Sequence, residues 1–347
     1  MMRFRHLLEI EVPIIQAPMA GVQGSELAIA VRNAGGLGSL PCAMLSPDAM
    51  RAELTAIRAG TKRPFNVNFF CHKPPEPDPK REAAWRTALA PYYEEYGIDA
   101  ASISSGPGRG PFTHAAADVL EEFKPAVISF HFGLPSDDLI ARVKDMGSQI
   151  MASATTVDEA VWLEAHGADA IVAQGLEAGG HRGMFLSKDL TTQLGLFALL
   201  PQIARSVKLP VIAAGGIADA VGVSAALALG ATAAQVGSAY LLCPEATTST
   251  VHRAALKSGK ARHTAVTNIF SGRPARGIVN RIMAEMGPMS PAAPCFPLAS
   301  SAMAPLRLKA ERMGDDGFSP LWCGQNASGC AEVPAAQLTL ALAANAG

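Results

Sequence analysis

The sequence has few charged side chains and few aromatic ones. Charged residues make up 17% and aromatic residues 6% of the 347 residues, and the formal net charge is -1. The basic residues are scattered along the chain, so the sequence lacks the clustered positive charge with which proteins attract nucleic acid or anionic lipid. We therefore expect neither nucleic acid nor a membrane as a partner.

The cysteines form no recognisable pattern. Zinc sites and disulfide frameworks need closely or regularly spaced cysteines, and this chain has no Cys-x-x-Cys pair. The six positions are Cys42, Cys71, Cys243, Cys295, Cys323 and Cys330. We predict no metal site, and we expect reduced thiols in a cytoplasmic protein.

A convincing membrane-spanning run is also missing. Residues 220–243 carry no charge and are long enough to cross a bilayer. However, the stretch contains three internal glycines and lies between strand-like runs, which favours a buried helix followed by a buried strand.

Apolar residues are abundant, at 49% of the chain, and they occur in short runs separated by helix-like segments. Runs that are short and apolar throughout are typical of parallel strands covered on both faces. Eight such runs are present, at 12–17, 37–40, 65–70, 126–130, 149–153, 170–173, 210–214 and 233–239. The pattern predicts an α/β protein with a (β/α)8 TIM barrel. A doubly wound sheet is the alternative, but its glycine fingerprint would follow the first strand, where Pro18 and Met19 stand instead.

The alternation is interrupted twice, which predicts the domain organisation. Residues 1–242 would form the barrel, with a proline-rich surface excursion at about 72–111. Residues 243–347 would form a smaller, mainly helical cap, with helices at 245–257, 277–286 and 304–312. We expect a last apolar helix at 334–344 to pack back on the barrel.

A barrel confines the chemistry to the C-terminal ends of its strands. The seventh and eighth strands end in Gly215-Gly216 and Gly237-Ser238. Glycines at these two strands allow backbone N–H groups to approach phosphate oxygens closely, so the sequence predicts a phosphorylated ligand. The sixth strand leads into a glycine-rich loop, 174–183, which carries His181, a side chain that titrates near neutral pH.

Six segments, taken in order, resemble the nitronate monooxygenases. They are Ile14-Ile-Gln-Ala-Pro-Met19, Asn66-Val-Asn68, the loop 174–183, Ala213-Ala-Gly-Gly-Ile217, Gln235-Val-Gly-Ser238 and Leu321-Trp-Cys-Gly-Gln325. The resemblance spans nearly the whole chain and implies a barrel that binds FMN. It also implies oxidation of alkyl nitronates by O2 to a carbonyl compound plus nitrite or nitrate, through one-electron transfer to the flavin. Neutral nitroalkanes are a further candidate substrate.

The resemblance assigns roles to individual residues. His181 would be catalytic, either protonated and paired with the nitronate oxygens or neutral and acting as a base. The implied cofactor-binding residues are Ala17, Pro18, Met19, Asn68, Gln174, Gly179, Gly215, Gly216, Gln235, Val236, Gly237, Ser238 and Gln325. His131, at the end of the fourth strand, is a candidate for lining the substrate pocket.

Charged groups near the flavin are harder to assign. No barrel strand carries a lysine that could stabilise negative charge on the reduced flavin, so Lys309 of the cap, or a helix dipole, is the candidate. Glu177 and Arg182 are expected to be solvated loop charges, and Trp322 is expected to be a packing anchor.

Two other functions stay open, because one scaffold supports many activities. The first is an FMN-dependent NAD(P)H:quinone or enoyl-thioester reductase. The second is a flavin-free phosphate-sugar isomerase or lyase. The Ala17-Pro-Met segment and the histidine loop favour nitronate oxidation.

Overall fold

The computed structural model describes residues 10–103 and 109–346. The described strands are β1 (Ile14–Gln16), β2 (Ser39–Pro41), β3 (Asn66–Phe70), β4 (Val127–His131), β5 (Gln149–Ala154), β6 (Ala170–Gln174), β7 (Gly180–His181), β8 (Val211–Ala214), β9 (Ala233–Val236), β10 (Thr264–Thr267) and β11 (Ala275–Ile278). Eight of them form a parallel sheet in the order β1-β9-β8-β6-β5-β4-β3-β2. A parallel bridge between Ile15 and Leu37 joins the two ends of this sheet. The predicted (β/α)8 barrel is confirmed.

Helices cover the outside of the barrel and extend beyond it. The described helices are α1 (Ser25–Asn33), α2 (Pro47–Gly60), α3 (Pro79–Glu95), α4 (His114–Phe123), α5 (Asp137–Asp145), α6 (Val157–Ala165), α7 (Leu196–Ser206), α8 (Ala220–Ala228), α9 (Thr250–Lys257), α10 (Arg281–Met286), α11 (Ala299–Arg312) and α12 (Ala335–Ala343). No helix of the described ranges is long and apolar enough to span a membrane. Residues 220–243 form α8, β9 and the turns that follow each of them.

The strands are apolar on both faces because they are buried on both. Along β6, Ile171 points outward into the layer between sheet and helices, whereas Val172 points into the barrel interior. Successive strand residues face opposite sides of a sheet. A run without polar residues therefore places apolar side chains both in the barrel interior and in the layer between sheet and helices. The six cysteines are all free thiols.

The excursion forms a second hydrophobic core with the C-terminal segment. Trp85 and Tyr93 of α3 are buried against α11, where Tyr93 Oη donates to the carbonyl oxygen of Ala302 at 2.8 Å. Leu306 and Phe318 belong to the same core. The division at residue 242 stays a prediction, but this packing shows that residues 79–95 share a core with the segment predicted as the cap.

One predicted helix is partly wrong. Residues 275–278 form β11 rather than the start of a helix at 277, and α10 begins only at Arg281. β11 is the central strand of a three-stranded antiparallel sheet, between β10 and β7. The sheet partners come from distant parts of the chain, so local sequence preference does not reveal the strand.

Candidate active site

A cavity opens at the C-terminal ends of the barrel strands and extends beneath the three-stranded sheet. Thirteen of the predicted site residues line it, although they come from positions up to 221 residues apart, from 17 to 238. They are Ala17, Pro18, Met19, Asn68, His131, Gln174, Gly179, His181, Gly215, Gly216, Gln235, Gly237 and Ser238. The barrel therefore brings the separate sequence motifs together in one site.

Three predicted site residues do not line the cavity. Val236 follows the inward-facing Gln235, so strand alternation turns its side chain outward into a hydrophobic core, where it is 1% exposed. Gln325 has an exposed side chain, and its backbone N–H donates to the Glu177 carbonyl oxygen at 2.9 Å. Lys309 lies exposed on α11. The neighbouring Gly324 and Asn326 line the cavity instead of Gln325.

The loop that carries His181 is held by the side chains around it. The Gln174 amide donates to the His181 carbonyl oxygen at 2.9 Å and accepts the Gly183 N–H at 2.8 Å. His131 Nε2 lies 3.1 Å from the same carbonyl oxygen, and His131 Nδ1 lies 3.0 Å from Ser153 Oγ. With its carbonyl bonded in this way and its backbone paired to Ala275 of β11, His181 has a fixed position at the edge of the cavity.

The hydrogen bonds of Ser271 indicate which nitrogen of His181 carries the proton. His181 Nε2 lies 2.8 Å from Ser271 Oγ, and the Ser271 hydroxyl donates to the Arg273 carbonyl oxygen at 3.3 Å. A hydroxyl has one hydrogen, so when Ser271 directs it to the Arg273 carbonyl oxygen, Ser271 Oγ accepts the Nε2–H of the imidazole. In this arrangement Nδ1 of the neutral ring keeps its lone pair.

Burial and nearby positive charge both favour the neutral form of His181. Burial is the larger cause, and Arg109, His131 and Arg273 add to it, so that the pKa of His181 lies well below its usual range. Burial likewise lowers the pKa of His131 to about 3. The surroundings of His181 therefore favour the neutral base over the imidazolium.

Aromatic rings pack around His181. Its ring centroid lies 5.3 Å from that of Phe296, 5.5 Å from Trp322 and 5.9 Å from Phe132. Trp322 also packs edge-on against Phe270. Trp322 is thus a packing residue and, in addition, part of the cavity wall. This wall limits the access of water to His181.

The glycine pairs after β8 and β9 present backbone donors that are not used elsewhere. Gly215 and Gly216 have φ angles of 121° and 71°, which side-chain-bearing residues rarely adopt. Within the described residues, the N–H groups of Gly215, Gly216, Gly237 and Ser238 find no acceptor. All four residues line the cavity, so the donors fit the oxygens of a phosphate group.

A further buried polar atom at the cavity has no partner. The Gln235 side-chain oxygen is buried in the cavity wall without a hydrogen-bond donor among the described residues. Buried polar atoms in proteins are nearly always paired, so an unpaired one at a cavity indicates a bound group. Together with the glycine donors, it fits a polar ligand that carries a phosphate group.

The expectation of solvated loop charges is wrong for Arg182. This side chain is fully buried, and it donates to the carbonyl oxygens of Gly175 and Gln174 at 2.6 and 2.8 Å and to Gln193 Oε1 at 3.0 Å. Glu177 is half-buried and accepts the Leu196 N–H at 2.9 Å. Both charges therefore hold the loop, because Arg182 supplies donors to its inward carbonyl groups and Glu177 supplies an acceptor for a backbone N–H.

Sequence reasoning missed several residues at the site. Arg109 lines the cavity, and Arg273 lies 3.8 Å from the centroid of the Phe132 ring. Ser271 and Arg273 lie in the turn-rich segment before β11. The small sheet pairs β11 with β7 and so brings this segment close to His181. Among the described residues, no group of His, Cys, Asp and Glu is arranged to hold a metal ion.

The fold and the site define the class of protein as a (β/α)8 barrel with unpaired backbone donors and a histidine at one cavity. The sequence profile of the family described as "Nitronate monooxygenase" matches residues 2–345. The chain belongs to the nitronate monooxygenase family, whose members are flavin enzymes.

Individual relatives agree with this assignment. The chain is 46% identical over 342 residues to a nitronate monooxygenase of Paraburkholderia phytofirmans, covering 97% of this chain and 92% of that protein. It is 43% identical over 345 residues to a nitronate monooxygenase of Pseudomonas aeruginosa, covering 97% and 96%.

Solved structures show the same fold. A nitroalkane oxidase from Streptomyces ansochromogenes is similar with a TM-score of 0.90 and 39% identity, covering 99% of this chain and 97% of that one. FabK from Thermotoga maritima is similar with a TM-score of 0.73 and 29% identity, covering 99% and 95%. The similarity to the nitroalkane oxidase is therefore greater in both sequence and structure.

Proposed function

We propose that this protein is an FMN-dependent nitronate monooxygenase that uses O2 to oxidise alkyl nitronates to carbonyl compounds and nitrite or nitrate. The observation that supports this most directly is the placement of His181 and the glycine donors in one cavity. The 46% identity to a nitronate monooxygenase supports the same chemistry.

The cavity residues divide into a flavin-binding set and a substrate-binding set. Ala17, Pro18 and Met19 would lie along the flavin ring, and the unpaired N–H groups after β8 and β9 would hold the phosphate. When bound, FMN supplies the electron acceptor that the side chains lack. The protein supplies position, exclusion of water and a proton acceptor.

His181 acts at the substrate end. In the proposed arrangement its Nε2–H is bonded to Ser271 Oγ, 2.8 Å away, which leaves the Nδ1 lone pair to a substrate. A nitronate has already lost its acidic proton, so His181 orients it and excludes water. A neutral nitroalkane would lose its Cα proton to Nδ1, a step for which a positioned base typically contributes 10²- to 10⁴-fold in rate.

The visible spectrum of the purified protein is the first test, followed by anaerobic titration with propyl-2-nitronate. We expect a yellow protein that releases FMN on denaturation and whose flavin absorbance is bleached by the nitronate, with nitrite formed after O2 is admitted. Rapid bleaching by NADH alone would favour the reductase function. A protein that stays colourless after incubation with FMN would favour the flavin-free barrel.

The His181→Gln variant tests the role of the histidine. We expect kcat/KM for a neutral nitroalkane to fall by about 10²-fold or more, because glutamine cannot accept the proton. FMN content should be unchanged. His166→Gln, at an exposed histidine of the same chain, is the control and should retain full activity. Equal activity of both variants would exclude His181 as the base.

A further inference from the structure

The described lining of the cavity contains one permanently charged side chain, Arg109, and no carboxylate. The Arg109 guanidinium carbon lies 5.9 Å from the centroid of the Phe296 ring. Its Nη1 is buried without an acceptor, and no hydrogen bond or ion pair of the guanidinium is formed with any described residue. The guanidinium therefore retains its donors for a bound molecule.

Arg109 lies beside the aromatic cluster that includes His181. The His72 ring packs edge-on against Phe296 with 4.8 Å between ring centroids. Phe296 in turn lies 5.3 Å from the His181 ring. Arg109 and His181 thus flank the same aromatic ring at the substrate end of the cavity.

A nitronate bears one negative charge shared by two oxygens of a planar group. That group has the fork geometry of a carboxylate, which a guanidinium binds through two parallel N–H bonds. The other nearby arginine, Arg273, does not line the cavity, and it donates to the Met184 carbonyl oxygen and lies over the Phe132 ring. Arg109 is accordingly the group in the described lining with both charge and free donors.

We propose that Arg109 is a substrate-binding residue that receives the two nitronate oxygens and so selects the anionic nitronate over the neutral nitroalkane. The proposal rests on the proposed function for the identity of the substrate. The presence of an anion site beside Phe296 can be tested without turnover.

The test compares Arg109→Gln and Arg109→Lys with the wild-type holoenzyme. Loss of a charged, two-pronged contact should raise KM for propyl-2-nitronate by roughly 10- to 100-fold, with KM for the neutral 2-nitropropane changed less than threefold. Arg109→Lys should recover part of the affinity, because it keeps the charge and loses the fork.

Nitrate, a planar anion that is not oxidised, serves as the probe for binding alone. Its Kd, followed by the flavin spectrum or by calorimetry, should rise at least tenfold in Arg109→Gln. Arg86→Gln removes an arginine of α3 that does not line the cavity, and it should match the wild type. FMN content and thermal unfolding verify that each variant is folded.

Failure of the proposed function and failure of the Arg109 proposal would give different results. If the wild type does not oxidise nitronates but Arg109→Gln weakens nitrate binding, the proposed function fails and the anion site stands. If nitronate oxidation is retained and Arg109→Gln leaves both KM and the nitrate Kd within twofold of the wild type, Arg109 is not the nitronate-binding residue.

Discussion

At the residue scale, the protonation of His181 depends on a neighbour that is 90 positions away in the chain. Ser271 Oγ can accept the Nε2–H when its own hydrogen is directed to the Arg273 carbonyl oxygen. The sequence locates His181 in a glycine-rich loop and leaves both protonation states open. Burial of the ring favours the neutral form, and the contact with Ser271 then determines which nitrogen keeps its lone pair.

Replacement of Ser271 by alanine should disturb this arrangement without removing the base. We expect kcat/KM for a neutral nitroalkane to fall by about tenfold, roughly the contribution of one hydrogen bond, with FMN affinity unchanged. Steady-state kinetics across pH would measure it, and Ser271→Thr should recover activity because it keeps the hydroxyl.

The control for Ser271 is Ser300→Ala. Ser300 Oγ donates to the Phe270 carbonyl oxygen at 3.1 Å in the same region, but among the described residues it forms no hydrogen bond with His181. If both serine variants lose the same activity, the effect is a general loosening of the segment and Ser271 has no positioning role.

At the scale of elements, α12 shows how the end of the chain contributes to the barrel. Its Ala335, Leu338 and Leu342 pack against Ile14 of β1 and Val223 of α8. The Tyr240 and Thr339 hydroxyls are 2.8 Å apart across the same interface. The apolar sequence of 334–344 predicts a helix, and the packing places that helix against α1, α8 and β1.

Leu342→Ala should destabilise the protein by roughly 2–5 kcal/mol, since it removes a side chain that is 1% exposed and leaves a cavity. Leu340→Ala, on the same helix at 56% exposure, is the matched control and should change stability by less than about 0.5 kcal/mol. Urea unfolding followed by circular dichroism measures both. Similar midpoints for the two variants would contradict the packing of α12.

At the scale of the whole molecule, several histidines are buried in neutral form. Burial lowers the pKa of His72 to about 4, of His131 to about 3 and of His252 to about 4. Unfolding returns each ring to its usual pKa near 6.5, so the unfolded chain binds more protons than the folded one between these values. The contribution of these neutral buried rings to the free energy of unfolding is complete above pH 6.5, and it is lost progressively as the pH falls towards 4.

We therefore expect the free energy of unfolding to decrease from pH 6.5 to pH 5, a window in which histidines dominate over carboxylates. His252→Gln removes one of the buried rings and should reduce the slope by up to one proton, about 1.4 kcal/mol per pH unit. Urea titrations at several pH values give the slope. A free energy of unfolding that is constant across this window would show that the buried rings take up protons as readily in the folded protein as in the unfolded chain.

The sequence by itself determines the barrel, because short runs that are apolar on every residue have to be covered on both faces. It also determines that the glycine pairs and His181 share one end of the barrel, because active-site loops follow parallel strands. Only the tertiary structure decides which side chains complete the site. Arg109 reaches the cavity from the excursion, and Ser271 reaches His181 from the segment before β11. Strand alternation turns Val236 away from the cavity, and Gln325 and Lys309 lie exposed. The physical reason is that these placements depend on pairing and packing between distant segments, which local patterns do not encode.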